Sequence, residues 1–244
     1  MCGIAGLISF EPQQRIAAML KSIEHRGRDD EGVWTSEPID DHGSRACLGH
    51  RRLAIIDTSS AGHQPMISAN GRYVVILNGE IYNYRELREQ LKSKSHQFRT
   101  ESDTEVLLAA WTEWGADSLQ YLNGMFAFAI WDKEQRALHL VRDRVGIKPL
   151  YYAQVQKPDR EGGCALLIAS EIKAILASGL VEPALDFEAL HQFLTFLWAP
   201  DPKTLLRGIR TVPPAHVVTW RDGKITSHEW WDISFDEIEA GKSE

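Results

Sequence analysis

No stretch of this 244-residue chain is apolar for the roughly 20 residues that a membrane-crossing helix needs. The first fifteen residues also lack the basic-then-apolar order of a secretory signal. The reading is no membrane association and a cytoplasmic location. There is no block of lysines and arginines, and 34 Asp and Glu against 27 Lys and Arg leave a formal net charge of -7. That balance gives no electrostatic footprint for nucleic acid. Cysteine is scarce. Cys2, Cys47 and Cys164 are an odd number without C-x-x-C spacing, which argues against both a disulfide framework and a zinc site. The nine histidines carry no H-E-x-x-H pattern, so no metal is expected. Internal repeats and low-complexity tracts are missing too.

What is present, 43% hydrophobic and 25% charged residues, is the composition of an ordinary folded domain. Short apolar runs at residues 4–9, 33–35, 47–50, 53–56 and 73–77, punctuated by Gly, Ser, Asp and Asn, read as antiparallel strands. Pro12 opens a helix that carries Ile16, Met19, Leu20 and Ile23 on one face. Helices are expected at 85–94 and 104–114, the second begun by a capping box of Ser102 and Glu105. Residues 126–131 and 138–141 read as a hairpin, and 151–152 and 166–169 as further strands. Helices are expected at 171–177 and 187–196. Residues 217–220 and 225–229 flank an Asp222-Gly223 pair that favours a tight hairpin turn. Blocks of strands with helices between them point to an α+β fold, with helices outside antiparallel sheets.

Four features could carry chemistry. A lone cysteine near a terminus is ordinarily a small hydrophobe. Cys2 differs in position: removal of Met1 would leave a thiol and an α-amine on one residue, and that amine, with an ordinary pKa of about 7.7 to 8.0, could serve as the thiol's base. Asn78-Gly79 after an apolar strand reads as a turn, yet a side-chain amide beside a glycine N–H could also stabilise an oxyanion. The arginines Arg51 and Arg52 are either a solvated strand end or a clamp for a carboxylate. Asp103 suits a helix start.

In order along the chain, "MCGIAG", "HRGRDDEG", "LGHRRLAIID", "GHQPM", "LNGEIYNYREL", "SDTEVLL", "GMFAFAIWD", "RDRVGIKPLYY" and "ASEIKAIL" cover most of residues 2–178. This set resembles the glutaminase domain of class II glutamine amidotransferases, which are N-terminal-nucleophile hydrolases, and most closely the asparagine synthetase branch. The resemblance implies a four-layer αββα sandwich. It implies Cys2 as nucleophile with its own amine as base, and Asn78 and Gly79 as the oxyanion hole. Arg52 would hold the carboxylate of L-glutamine, and Glu80 and Asp103 its ammonium. No cofactor is implied for this domain.

Residues 2–178 would form the core, and 179–244 an extension resembling the end of the domain and a linker to a synthetase domain. ATP and Mg would belong to that synthetase domain, whose glycine-rich pyrophosphate loop this chain lacks. The expected partner is such a domain, in cis or as a separate chain, with a homodimer also open. Alternatives are an acceptor of ammonia other than aspartate, a different amide substrate, and a non-catalytic module of the same fold. Arg28 stands where the family usually has proline. It is either a solvent-facing side chain or a charge that lowers the pKa of the Cys2 amine.

Overall fold

A computed structural model describes residues 1–156 and 164–233; the last part of the expected extension, residues 234–244, lies outside the described residues. The chain begins with β1 (Gly3–Ser9), α1 (Pro12–Ser22), β2 (Asp30–Thr35) and β3 (Arg45–Arg52). It continues through β4 (Met66–Ile67), β5 (Tyr73–Ile81), α2 (Tyr84–Ser93) and α3 (Asp103–Trp114). Next come β6 (Gly124–Asp132), β7 (Ala137–Arg142), β8 (Tyr151–Gln156), β9 (Cys164–Ala169) and α4 (Ile172–Ala177). Last are α5 (Phe187–Phe196), β10 (Ile209–Thr211), β11 (His216–Arg221) and β12 (Lys224–Glu229).

The strands form two six-stranded sheets, in the orders β10-β8-β9-β1-β3-β2 and β12-β11-β7-β6-β5-β4. Strand alternation sorts the side chains into layers. On β1, Ile4 and Ile8 face the other sheet, while Ala5 and Leu7 pack under α1 and α4. On β5, Val74 and Ile76 face the first sheet, while Tyr73, Val75, Leu77 and Ile81 pack under α2 and α3. The architecture is therefore helices, sheet, sheet, helices: the expected αββα sandwich. Each fully buried Ile, Leu, Val or Phe side chain in these layers contributes about 1.5–3 kcal/mol. Chain from beyond residue 178 takes part in both sheets, and Val212, Val218 and Trp220 join the core between them.

Local signals explain most boundaries. Pro12 sits in the first turn of α1, where its missing N–H costs nothing. Asp222 and Gly223 adopt φ of 49° and 76°, the left-handed pair that a two-residue hairpin turn requires. Half of the capping box forms. Ser102 accepts from the Thr104 N–H, but the Glu105 carboxylate reaches past Ser102 to the N–H groups of Arg99 and Thr100. Among the described residues, no helix is long and apolar enough to cross a membrane.

One expected strand is absent. Residues 53–56 form no ladder, because side chains take their backbone donors: Asp29 accepts from the Ala54 N–H at 2.8 Å, and the Leu53 N–H points at the Cys2 sulfur. The segment becomes a loop over one end of the sandwich, with Ile55 exposed.

A second loop is fixed from within. The buried Asp143 carboxylate accepts from the N–H groups of Phe126, Val145, Ile147 and Lys148. Arg142 donates to the carbonyls of Gly146, Lys148 and Val212. Leaving a buried donor unsatisfied costs about 1–3 kcal/mol, and Asp143→Ala strands the buried N–H groups of Phe126 and Lys148 together. Urea unfolding of this variant should give a loss of about 3 kcal/mol or more. A loss below about 0.5 kcal/mol would show that the loop does not depend on this carboxylate.

Candidate active site

The inter-sheet faces of three strands turn from apolar to polar at the same end of the sandwich. On β5 the row Val74, Ile76 continues into Asn78 and Glu80; on β3 the row Ala46, Leu48 continues into His50 and Arg52. The row Ile8, Ile4 of β1 ends at Cys2, and the antiparallel register that pairs Gly3 with Arg51 carries Cys2 toward Arg52. A cavity of about 120 Å³ opens there. Cys2, Arg52, Asn78, Gly79, Glu80 and Asp103 all line it. The six residues that the resemblance assigns to the site are thus brought to one place, although they are spread over a hundred positions; Arg51, the other arginine of the pair, points away and pairs with Glu31.

The Cys2 sulfur lies 3.4 Å from the Leu53 nitrogen and 3.6 Å from the Leu53 carbonyl oxygen. Burial pushes the thiol pKa up from its ordinary value, and Asp103 adds to the rise. The Leu53 backbone, the chain's terminal amine and Arg52 oppose it. The sulfur is therefore held as a thiol and needs a base. Its backbone is anchored as well: Arg26 Nε donates to the Cys2 carbonyl at 2.9 Å, and Arg26 Nη1 to Glu171 at 2.9 Å. Partial burial opposes ionisation of Glu171, but hydrogen bonds from Arg26, Lys173 and His25 bring its pKa down to about 2.

Asn78 is 1% exposed, and neither its amide nitrogen nor its amide oxygen has a hydrogen-bond partner. Arg52 is held by carbonyls of the 57–59 turn, those of Asp57 and Ser59. Asp103 accepts from the Ile81 N–H at 3.0 Å. Burial pushes its carboxyl pKa up and the neighbouring Glu80 adds to this, against the Ile81 and Thr104 N–H groups. Gly79 has no room for a side chain: a Cβ there would meet the Met125 carbonyl oxygen and the Phe126 Cα at 2.6 Å.

The backbone of β5 explains how an N–H comes to face the cavity. Residues 73, 75, 77, 79 and 81 direct their N–H groups away from β6, to the edge where β4 pairs only as far as Met66. Along that edge Tyr73 bonds Ser68, Leu77 bonds Gln64 and Ile81 bonds Asp103. The same alternation points the Gly79 N–H to this open edge, toward the cavity that Gly79 lines.

Several residues of the site were not singled out from the sequence. Arg26, Gln64 and Lys148 lie within the quoted motifs but carry no local signal of role. Arg26 and Glu171 are 145 positions apart. Lys148 is buried on the cavity wall, its ammonium 3.6 Å from the Met1 sulfur. Arg28, by contrast, is exposed and does not line the cavity; the solvent-facing reading of it is the one that fits.

His50 is fully buried, with Nε2 3.1 Å from the Leu77 carbonyl oxygen and Nδ1 without a partner. A carbonyl only accepts, so Nε2 carries the proton and the ring is neutral. Burial, helped by Arg52, lowers its pKa to about 4.

Comparison with known proteins gives a consistent picture. The family description "glutamine amidotransferase domain" matches residues 1–231. Asparagine synthetase [glutamine-hydrolyzing] 3 of Bacillus subtilis is 35% identical, over 98% of this chain and 39% of its own length. Asparagine synthetase [glutamine-hydrolyzing] 1 of the same organism is 38% identical, over 98% of this chain and 37% of its own length. The chain thus spans about two-fifths of these relatives. Among solved structures, the glutamine phosphoribosylpyrophosphate amidotransferase of B. subtilis superposes with a TM-score of 0.68 at 23% identity, over 96% of this chain and 50% of that one. That likeness is one of fold.

Because the unfolded chain binds a proton on His50 near pH 6.5 and the folded one only near 4, this residue's contribution to stability is full above 6.5 and is lost as pH falls toward 4. The stability difference between the protein and His50→Gln should therefore change across that window and be flat above it. Parallel stability curves from pH 7 to pH 4 would contradict a buried neutral imidazole.

Proposed function

The chain belongs to the class II glutamine amidotransferase domain family, and from that premise we propose that it hydrolyses L-glutamine to glutamate and ammonia through a γ-glutamyl thioester on Cys2. The observation that carries the reading is the Asn78 amide, buried and unpartnered, on the wall of a cavity that Cys2, Arg52, Glu80 and Asp103 also line. An unpaired buried amide costs about 1–3 kcal/mol, and a ligand oxygen that accepts from it recovers that cost.

In the Met1-bearing chain the Cys2 nitrogen is an amide and has no basicity. Removal of Met1 makes it an amine, which takes the thiol proton. The thiolate then attacks the side-chain amide carbon of glutamine, and the carbonyl electron pair moves onto oxygen. The Asn78 amide and the Gly79 N–H donate to that oxygen. The protonated amine passes its proton to the leaving nitrogen, the C–N bond breaks and ammonia departs. Water gives a proton to the amine and attacks the thioester; the thiolate leaves and glutamate is released.

The free amino acid end is bound by opposite charges: Arg52 holds the α-carboxylate, and Glu80 and Asp103 the α-ammonium. An ammonium beside Asp103 offsets the burial that raises its pKa, so the site favours a zwitterion over an acylated amine. No cofactor enters these steps.

The ammonia is proposed to serve an asparagine-synthetase-type domain, in cis or as a separate chain, where ATP and Mg would act. Support comes from the two B. subtilis relatives and from α5 with the turn after it, where Phe187, Leu194, Phe196, Leu197 and Trp198 are exposed together.

Cys2→Ala should abolish glutamate release without altering the unfolding transition; undiminished turnover would remove the mechanism. Asn78→Leu should lower kcat by about 10²–10³-fold while leaving stability unchanged or raising it by about 1 kcal/mol, since it replaces an unpaired amide by a hydrocarbon. Arg52→Ala should act chiefly on KM, as expected for an anchor remote from the reacting bond. An equal fall in kcat at saturating glutamine would reassign Arg52 to the chemical step.

A further inference from the structure

We propose that Gln64 is a positioning residue for the oxyanion site, its side-chain amide standing in for the strand partner that β5 lacks beyond Met66. The inference rests on the glutaminase reading above and deepens it.

β4 pairs Met66 with Val75 and Ile67 with Val74, and the residue before Met66 is Pro65, which has no N–H to extend the ladder. Leu77 therefore faces the edge with both its N–H and its carbonyl unpaired by any strand. Gln64 Oε1 accepts from the Leu77 N–H at 2.7 Å, and His50 Nε2 donates to the Leu77 carbonyl at 3.1 Å. The other end of the Gln64 amide, Nε2, donates to Thr104 Oγ1 at 3.1 Å. Thr104 lies in the first turn of α3, next to Asp103, whose carboxylate accepts from the Ile81 N–H at 3.0 Å.

The segment Asn78-Gly79-Glu80, paired with β6 on one side, is consequently held on its open edge between two anchors on the same helix end. Leu77 is tied through Gln64 to Thr104, and Ile81 is tied directly to Asp103. Gln64 is itself held in place. It is 6% exposed, it lines the cavity, and its carbonyl packs so closely on Gly32 of β2 that no side chain fits there. A short, doubly bonded side chain on a fixed backbone can set the position of the donors at Asn78 and Gly79 to the few tenths of an ångström on which oxyanion stabilisation depends.

The test compares the Met1-processed protein with Gln64→Met, which keeps the volume and removes both hydrogen bonds, and Gln64→Glu, which keeps an acceptor for the Leu77 N–H. Gln64→Met should lower kcat for glutamine by about 10–100-fold with KM within about threefold. Its Leu77 amide should exchange hydrogen at least about tenfold faster. Gln64→Glu should recover most of kcat and most of the Leu77 protection. The proposal is overturned if Gln64→Met keeps both kcat and Leu77 protection, if it raises KM with kcat intact, or if Gln64→Glu is no better than Gln64→Met. A protein that fails to hydrolyse glutamine while its Leu77 exchange responds as described would sink the glutaminase reading and leave the Gln64 anchor standing.

Discussion

The arrangement depends on a buried amide that the fold leaves without a partner. Protein interiors pair nearly all of their buried polar groups, and this one pairs the neighbours of Asn78 on either side, Leu77 and Ile81, through side chains recruited from Gln64 and Asp103. Among the described residues, the Asn78 amide alone stays open on both its atoms, at the point where the apolar space between the sheets meets the cavity. Such a group lowers stability by an amount that matters against a total of about 5–15 kcal/mol, and it persists because the surrounding sheet determines its place.

Around that point the electrostatics are divided by distance from solvent. Burial keeps the Cys2 sulfur protonated until a base acts, and it keeps His50 neutral. Among the charged groups that line the cavity, the guanidinium of Arg52 stands opposite in sign to the carboxylates of Glu80 and Asp103, with the Lys148 ammonium on the wall beside Met1. A zwitterion satisfies both at once, and either half of it satisfies only one. Outside the cavity Arg26, itself held by Glu171, donates to the Cys2 carbonyl, so the backbone of Cys2 is anchored as well as the sulfur that the Leu53 backbone contacts.

Much of this was legible in the sequence because it is local. Short apolar runs marked β1 and β5 as strands, Pro12 and Asp222-Gly223 marked a helix start and a hairpin turn, and Phe187–Phe196 was bounded without error. The six proposed site residues were identified by the resemblance; strand parity brings Cys2, Arg52, Asn78 and Glu80 to one cavity, while Asp103 reaches it from the start of α3 and Gly79 through its backbone. What escaped is long-range. Residues 53–56 have the composition of a strand, and only the folded neighbours Cys2 and Asp29 divert their N–H groups. Gln64 acts across 13 positions to Leu77 and 40 to Thr104, and Glu171 acts across 145 to Arg26. No periodicity or spacing encodes contacts of that kind.

The most direct measurement of the central claim is mass spectrometry of the protein quenched in acid during turnover of L-glutamine, with the modified peptide sequenced. The account predicts a γ-glutamyl group carried by a cysteine that is the first residue of the chain. Turnover by protein that still bears Met1, or an acyl group on any other residue, would contradict it.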